Sequence, residues 1–335
     1  MSREFDPENP SNPYTSETPR NPYAATEHGG AGASGGLFDD LIHHIKEREF
    51  GFEDILRVSL RLYRRYLKEL GGAALVYAVV LGVLNYFTVQ YMMDWMVFQT
   101  LQDPESPPET AELLEMLQPM LPNLFAVSLA IVIGQAVLVL YTVIRAGERC
   151  RKLDRAAGPA DSLQAALGRL PLYLLLVLIS YFAIFAGLVL CIVPGIALAI
   201  HFSMLAAIVG IAGEGFGAFG RSFKILRGRV VRTAMVLIVT YLTLYLTPFV
   251  ISSGYSAMIP QMIADQIAAN PGLSEADAAR IVLQDPVYVL LTQIPGAIAG
   301  ALLSSFTSVA TAVMFINFTR DENARAIESE STRPL

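Results

Sequence analysis

Residues 215–235 read GFGAFGRSFKILRGRVVRTAM, a basic, glycine-punctuated stretch set between two long apolar runs. Cations held at the edge of greasy segments decide the fold, because they fix which ends of those segments meet water. Working outward in both directions, apolar runs recur at about 71–93, 124–145, 171–192, 195–213, 234–256 and 287–317. Crossing hydrocarbon as a helix takes roughly 20 residues, and each run is about that long or longer. The 335-residue chain is 53% hydrophobic and only 16% charged, against about 25% charged for an ordinary soluble domain. The expected fold is all-α, a polytopic membrane bundle of six transmembrane helices.

Lys and Arg set orientation in such chains. Lys46, Arg48, Arg57, Arg61, Arg64, Arg65 and Lys68 precede the first run. Arg145, Arg149, Arg151, Lys152, Arg155 and Arg169 separate the second from the third, and Arg221, Lys224, Arg227, Arg229 and Arg232 the fourth from the fifth. The loop after the first run has acids but no Lys or Arg, and the loop after the fifth has only Arg280. This sorting predicts both termini on the cytoplasmic side of the cell inner membrane and an even number of spans. Between the third and fourth runs stands only Cys191-Ile192-Val193-Pro194-Gly195. Proline removes a donor and glycine permits a turn, so a tight external hairpin is expected there, with Pro194 ending the helix before it.

The opening stretch has counterparts. Ser222 is followed by Gly228-Arg229 and Tyr241, Ser162 by Gly168-Arg169 and Tyr181 at the same offsets, and Ser59 by Arg64-Arg65 and Tyr77. The pattern predicts an internal repeat: three hairpins, each preceded by a cytoplasmic interfacial amphipathic helix, the middle one without an outer loop. In the third unit Phe216, Phe219, Phe223, Leu226 and Val230 follow helical spacing. In the first, Ile55, Val58, Leu62 and Tyr66 form an apolar stripe beside Arg57, Arg61, Arg64 and Lys68. A helix of this kind lays aliphatics into the acyl boundary and cations against anionic headgroups. Each cation near such a surface is worth roughly 1 kcal/mol. The candidate lipid-binding residues are therefore Arg57, Arg61, Arg64, Arg65, Arg221, Ser222, Lys224, Arg227 and Arg229. Outside, residues 109–118 and 274–283 read as short amphipathic helices, the second with a capping box opening at Ser274.

The flanks are simpler. Residues 1–36, rich in Pro, Ser, Asn and Gly, read as a disordered cytoplasmic tail with a doubled Asn-Pro-Tyr and no apolar centre of a secretion signal. Residues 37–319 form the six-span domain, and 320–335 a cytoplasmic C-terminal tail.

Chemistry is scarce. Charges at the bilayer centre are costly and usually functional, and the central parts of the runs hold only His201, Gln135 and Gln293. That argues against an ion-coupled transporter. Asp39, Asp40, His43, His44 and Glu47 have helical spacing but read as a polar face, so no metal and no cofactor is expected. Gly296 and Gly300 form a GxxxG packing face, within the chain or between copies. Gly213, Gly215, Gly217 and Gly220 lack the GKS/T ending of a phosphate loop. No catalytic constellation is present, and nothing suggests nucleic-acid binding. The sequence points to a non-enzymatic scaffold or lipid-interacting module whose partners are anionic inner-leaflet lipids. The alternative is a transporter or channel for a neutral or lipidic solute, with Gln135, Tyr181, His201, Tyr241 and Gln293 lining its cavity.

Phe52–Tyr66 (FEDILRVSLRLYRRY), Ile192–Ile196 (IVPGI), Gly213-Glu214-Gly215 and Ala218–Gly228 (AFGRSFKILRG) occur in an order that resembles the membrane domain found beside glycerophosphoryl diester phosphodiesterases. It is similar also to YciC-like six-span membrane families. In that group catalysis belongs to a separate soluble domain, of which this sequence has no trace. The resemblance implies a membrane fold rather than an activity.

Overall fold

The structure, a computed structural model, describes residues 49–101, 118, 121–150 and 158–331, all within the unit Ile42–Leu335. The N-terminal tail, the Asp39–Glu47 cluster, Arg151, Lys152, Arg155 and the outer segment 109–117 lie outside the described residues. Every regular element among the described residues is helical. Six helices are long and apolar enough to cross a membrane: Leu67–Thr88, Leu121–Cys150, Pro159–Leu190, Ile192–Ala212, Val230–Ile251 and Gln293–Arg320. The chain is a multi-pass membrane protein.

Helix α1 (Phe52–Arg65) turns at Tyr66 into α2 (Leu67–Leu101), and α3 (Leu121–Cys150) returns. Next, α4 (Pro159–Leu190) meets α5 (Ile192–Phe202), which continues through α6 (Leu205–Ala207) into a π-helical turn at Ile208–Ala212. Then come α7 (Ala218–Leu226), α8 (Val230–Ser256), α9 (Ile259–Ala269), α10 (Glu275–Gln284) and α11 (Pro286–Ser331). Sequence periodicity does not anticipate α9. The Ser274 cap of α10 is present, its hydroxyl accepting from the Asp277 amide at 3.1 Å. Val282 of α10 and Ile259, Met262 and Ile263 of α9 pack with Tyr86, well along α2 from its basic end.

Helix α11 is the central post. In its most apolar stretch 67% of residues are buried, against 17% for α4 and for α8. Ser304, Ser305, Thr307, Ser308 and Thr311 run along its buried side. Hydrocarbon offers hydroxyls no partner, so each must find one in protein. Ser304 accepts from Gln135 of α3, and Ser305 pairs with Thr142 at 3.3 Å. Ser308 and Thr311 donate to the carbonyls four residues back, at 2.9 and 3.0 Å.

The α4–α5 hairpin closes differently from the expectation. The turn is made by Cys191 alone, in extended conformation, and Pro194 sits in the first turn of α5 rather than at the end of α4. A first-turn amide has no intrahelical acceptor, so its loss there is harmless. Gly195 serves close approach: a Cβ on it would lie 2.8 Å from the Leu188 backbone nitrogen. Between α7 and α8 the chain bends at Gly228, whose φ of 80° is the left-handed conformation that a side chain disfavours.

Helix α1 presents the expected stripe, with one exchange: Ile55, Val58, Leu62 and Tyr63 are buried, and Tyr66 only partly so. Its destination is a correction. The stripe packs on protein, where the Tyr63 hydroxyl donates to the Leu302 carbonyl at 3.0 Å and its ring meets Phe306 edge-on. Burying each such aliphatic is worth about 1.5–3 kcal/mol, so α1 covers part of α11 as well as being a surface helix. The face of α7 is also corrected. Ala218, Ser222, Ile225 and Leu226 are buried, whereas Phe216 and Phe223 are exposed and Phe219 is part-exposed. Small Ala218 and Ser222 permit the close approach, and the bulkier rings fringe the helix.

Candidate functional site

The basic ends predicted by charge sorting converge on one end of the bundle, and there they divide into two populations. One population is internal. Glu69, near the start of α2, accepts from Arg145 at 2.6 Å and Arg149 at 2.7 Å, both near the end of α3. Arg145, 1% exposed, also reaches Glu148 at 3.1 Å, and Glu148 accepts from Ser162 of α4 at 3.2 Å. The Arg149 guanidinium stacks over Tyr66, 4.8 Å from its centroid. This network fastens the first hairpin and ties it to the second. A buried cation is tolerated only when paired in this way.

The second hairpin is held by Arg169 of α4, which donates to the Gly210 carbonyl. Gly210 lies in the π-helical turn, where the wider hydrogen-bond register disturbs the ordinary carbonyl ladder, and the guanidinium takes up the displaced acceptor. The third is held from the start of α8 and the turn before it. Arg229 donates to Glu49 at 2.9 Å and to the Phe318 carbonyl at 3.4 Å, while Arg232 donates to Glu49 at 2.8 Å and to the Phe50 carbonyl at 2.7 Å. The Phe50 amide donates to Asn317 of α11 at 3.1 Å. The Arg229 guanidinium beside Glu49 holds that carboxyl below the usual carboxylate range. Arg221 pairs with Glu214 and lies over Phe315.

The other population faces outward. Arg57, Arg61, Arg64, Arg65 and Lys68 are exposed along α1 and its junction with α2; Lys224 and Arg227 are exposed at the end of α7. Of the nine candidate lipid-binding residues, six are thus at the surface. Arg221 and Arg229 belong to ion pairs, and Ser222 is buried, donating to the His201 carbonyl. Ser59 and Ser162 are buried too, donating to the carbonyls of Ile55 at 2.6 Å and Gly158 at 3.2 Å.

The candidate cavity residues do not form one lining. Gln135 is engaged with Ser304 between α3 and α11. His201 bonds the Ala197 carbonyl at 2.7 Å and stacks on Phe223. Gln293 lies in α11, part-buried. Tyr181 and Tyr241 are exposed, at 68% and 43%, on α4 and α8. Gly300 faces Pro248 of α8 at ordinary contact distance, 3.8 Å for an added Cβ, so this part of the GxxxG face packs within the chain. Among the described residues no group of three or more His, Cys, Asp or Glu side chains is placed to hold a metal.

Sequence reasoning counts Arg145 and Arg232 only as topology markers, places Arg169 in the repeat without a partner, and passes over Glu49 and Glu69 entirely. The available signal is an acid at the edge of an apolar run otherwise flanked by cations. Set against protein-family models, curated proteins and solved structures, the chain matches none.

Proposed function

We propose that the protein is a non-enzymatic scaffold of the cytoplasmic membrane, both termini inside, whose inner surface recognises anionic headgroups. One observation carries this reading: the arginines divide between fold and surface. Arg145, Arg149, Arg169, Arg221, Arg229 and Arg232 hold the hairpins together. Arg57, Arg61, Arg64, Arg65 and Lys68 remain exposed on a helix whose opposite face is sealed against α11. An exposed cation at the membrane edge is worth about 1 kcal/mol against anionic lipid. The likeness to the membrane domain beside glycerophosphoryl diester phosphodiesterases agrees with a module that leaves chemistry to a partner.

A three-unit architecture belongs with this proposal. Ser59, Ser162 and Ser222 are all buried, and Arg169 and Arg229, each seven residues after its serine, donate to a carbonyl near the end of the returning span. In the first unit Glu69, Arg145 and Arg149 replace that contact.

The test is lipid retention. The protein is purified in mixed micelles of equimolar phosphatidylglycerol and phosphatidylcholine, and the retained lipid is quantified. Phosphatidylglycerol enrichment is expected to fall several-fold in Arg57→Glu/Arg61→Glu/Arg64→Glu and to survive in a Glu275→Gln control, an exposed position on α10. Equal enrichment in the triple variant and the wild type refutes headgroup recognition.

A further inference from the structure

The fourth membrane-crossing segment, Ile192–Ala212, does not run as one regular helix. After α5 ends at Phe202 the chain turns through Ser203 and Met204, and it is α-helical again only from Leu205. The Ser203 amide is shared between the Ala199 and Ile200 carbonyls at 3.1 and 3.3 Å, and its hydroxyl donates to Ile200 at 2.7 Å. A tightened turn inside a helix is the mark of a hinge. The facing helix has its own weak point. Gly187 meets Gly195 and Arg169 meets Gly210, so the antiparallel register sets Leu176–Ser180 of α4 beside Ser203–Met204. There the buried Ser180 hydroxyl donates to the Leu176 carbonyl at 2.7 Å, a back-bond that loosens and bends helices.

The two sides of this level are held differently. From Met204 to Gly210 every residue is buried, and Gly210 faces Leu140, Val143 and Ile144 of α3. Toward the hairpin tip, among the described residues, Gly195 alone is buried on α5 and Gly187 alone within 181–190. These glycines bring the two arms together almost backbone to backbone: a Cβ on Gly187 would lie 3.0 Å from the Gly195 Cα. The tip is thus a two-helix unit closed on itself. Lipid tails are as apolar as its exposed side chains, so burial gives it no preferred seat on the bundle. What grips it at the hinge is α7. The Ser222 hydroxyl donates to the His201 carbonyl, just before the turn. Phe223 stacks on the His201 ring at 4.3 Å, and Phe202 meets Phe219 and Phe223 edge-on at 5.2 and 5.9 Å. Helix α7 itself hangs between two left-handed glycines, Gly213 (φ 70°) and Gly228 (φ 80°), joints at which a chain can swivel.

We propose that the tip of the second hairpin, residues 181–202, is a movable arm that pivots at Leu176–Ser180 and Ser203–Met204, with α7 as the strap that latches it. Ser222 and Phe223 are positioning residues: releasing them frees the arm while the packed body stays fixed. The device uses none of the cations on α1 and stands apart from headgroup recognition.

The test is a pair of spin-label distances in the full-length protein in phosphatidylcholine nanodiscs. Cys150→Ala leaves the exposed Cys191 as a native label site at the tip, and Leu121→Cys, exposed at the start of α3, supplies the second label. A Leu67→Cys/Leu121→Cys pair, with Cys191→Ser added, reports on the packed body alone. In Ser222→Ala/Phe223→Ala the tip distribution should widen about twofold while the body pair stays unchanged, as hinge motion about a fixed core requires. Arg227→Gln, exposed at the end of α7, should leave both at the wild-type width. Three results overturn the proposal: an unchanged tip distribution in the folded double variant, both pairs widening together, or equal widening in Arg227→Gln. If the double variant does not fold, Ser222→Ala alone, which removes one hydroxyl, decides by the same comparison.

Discussion

Replacing Glu69 by Gln puts the Arg145–Glu69–Arg149 network to its hardest test. The Arg145 side chain is 2% exposed and Glu69 32% exposed, and the carboxylate bridges two guanidiniums at 2.6 and 2.7 Å. Removing one partner from a buried pair costs about 3–5 kcal/mol, most of it the isolated charge left behind. Two features reduce that figure here: water reaches one edge of Glu69, and Glu148 stays 3.1 Å from Arg145. The expected loss is therefore about 2–3 kcal/mol, toward the lower edge of the buried-pair range. At about 2–4 °C per kcal/mol for a chain of a few hundred residues, the unfolding temperature should drop by about 5–10 °C. Cys150, buried at the end of α3 beside Arg149, is a native reporter, since a thiol-reactive dye reaches it only on unfolding. The exposed Cys191 is first changed to Ser to remove background. In this background Glu69→Leu/Arg145→Met should recover part of the loss, because the fully buried guanidinium is gone and the charges left behind, Arg149 and Glu148, are part-exposed. A drop of under about 1 °C in Glu69→Gln, or no recovery in the double variant, would refute the claim that this pairing secures the first hairpin.

Two further outcomes follow from the same contacts. Glu49 has its carboxyl pKa depressed by Arg229, so its contribution is complete above the ordinary carboxylate value and fades as pH falls below it. The melting difference between wild type and Glu49→Gln, below about 1 kcal/mol for so exposed a pair, should be largest near neutral pH and shrink as pH falls into the acid range; a difference that does not shrink contradicts the pairing. Topology has a native marker: Cys191 is exposed at the hairpin tip, so an impermeant maleimide added to intact cells should label it, whereas Arg227→Cys should react only after permeabilisation, and the reverse pattern would invert the whole orientation.

Much of the architecture is legible because hydrocarbon imposes a length and a composition that few other settings demand. The six spans follow from that constraint alone. Faces are harder. On α7 the hydrophobic pattern selects Phe216, Phe219 and Phe223, while the buried face is built on Ala218 and Ser222. Near a membrane an exposed ring carries no penalty, so hydrophobicity loses its power to mark the interior, and residue size becomes the better guide. The ion pairs are not legible for a different reason. Arg145 and Glu69 are 76 positions apart and Arg229 and Glu49 180 apart, so only the bundle brings them into register. Helix α9 escapes because its apolar residues lean on α2 and α10 and leave too weak a period of their own. Cys191 as the turn residue escapes because Pro194 is the louder signal and is tolerated one turn later.

Position along the bilayer normal explains how each polar group is satisfied. At the charged end of the bundle arginines find carboxylates or carbonyls. Deep in the bundle the hydroxyls of α11 bond across to α3 or back to their own helix. Each solution removes a desolvation cost, and together they account for the packed side of the molecule.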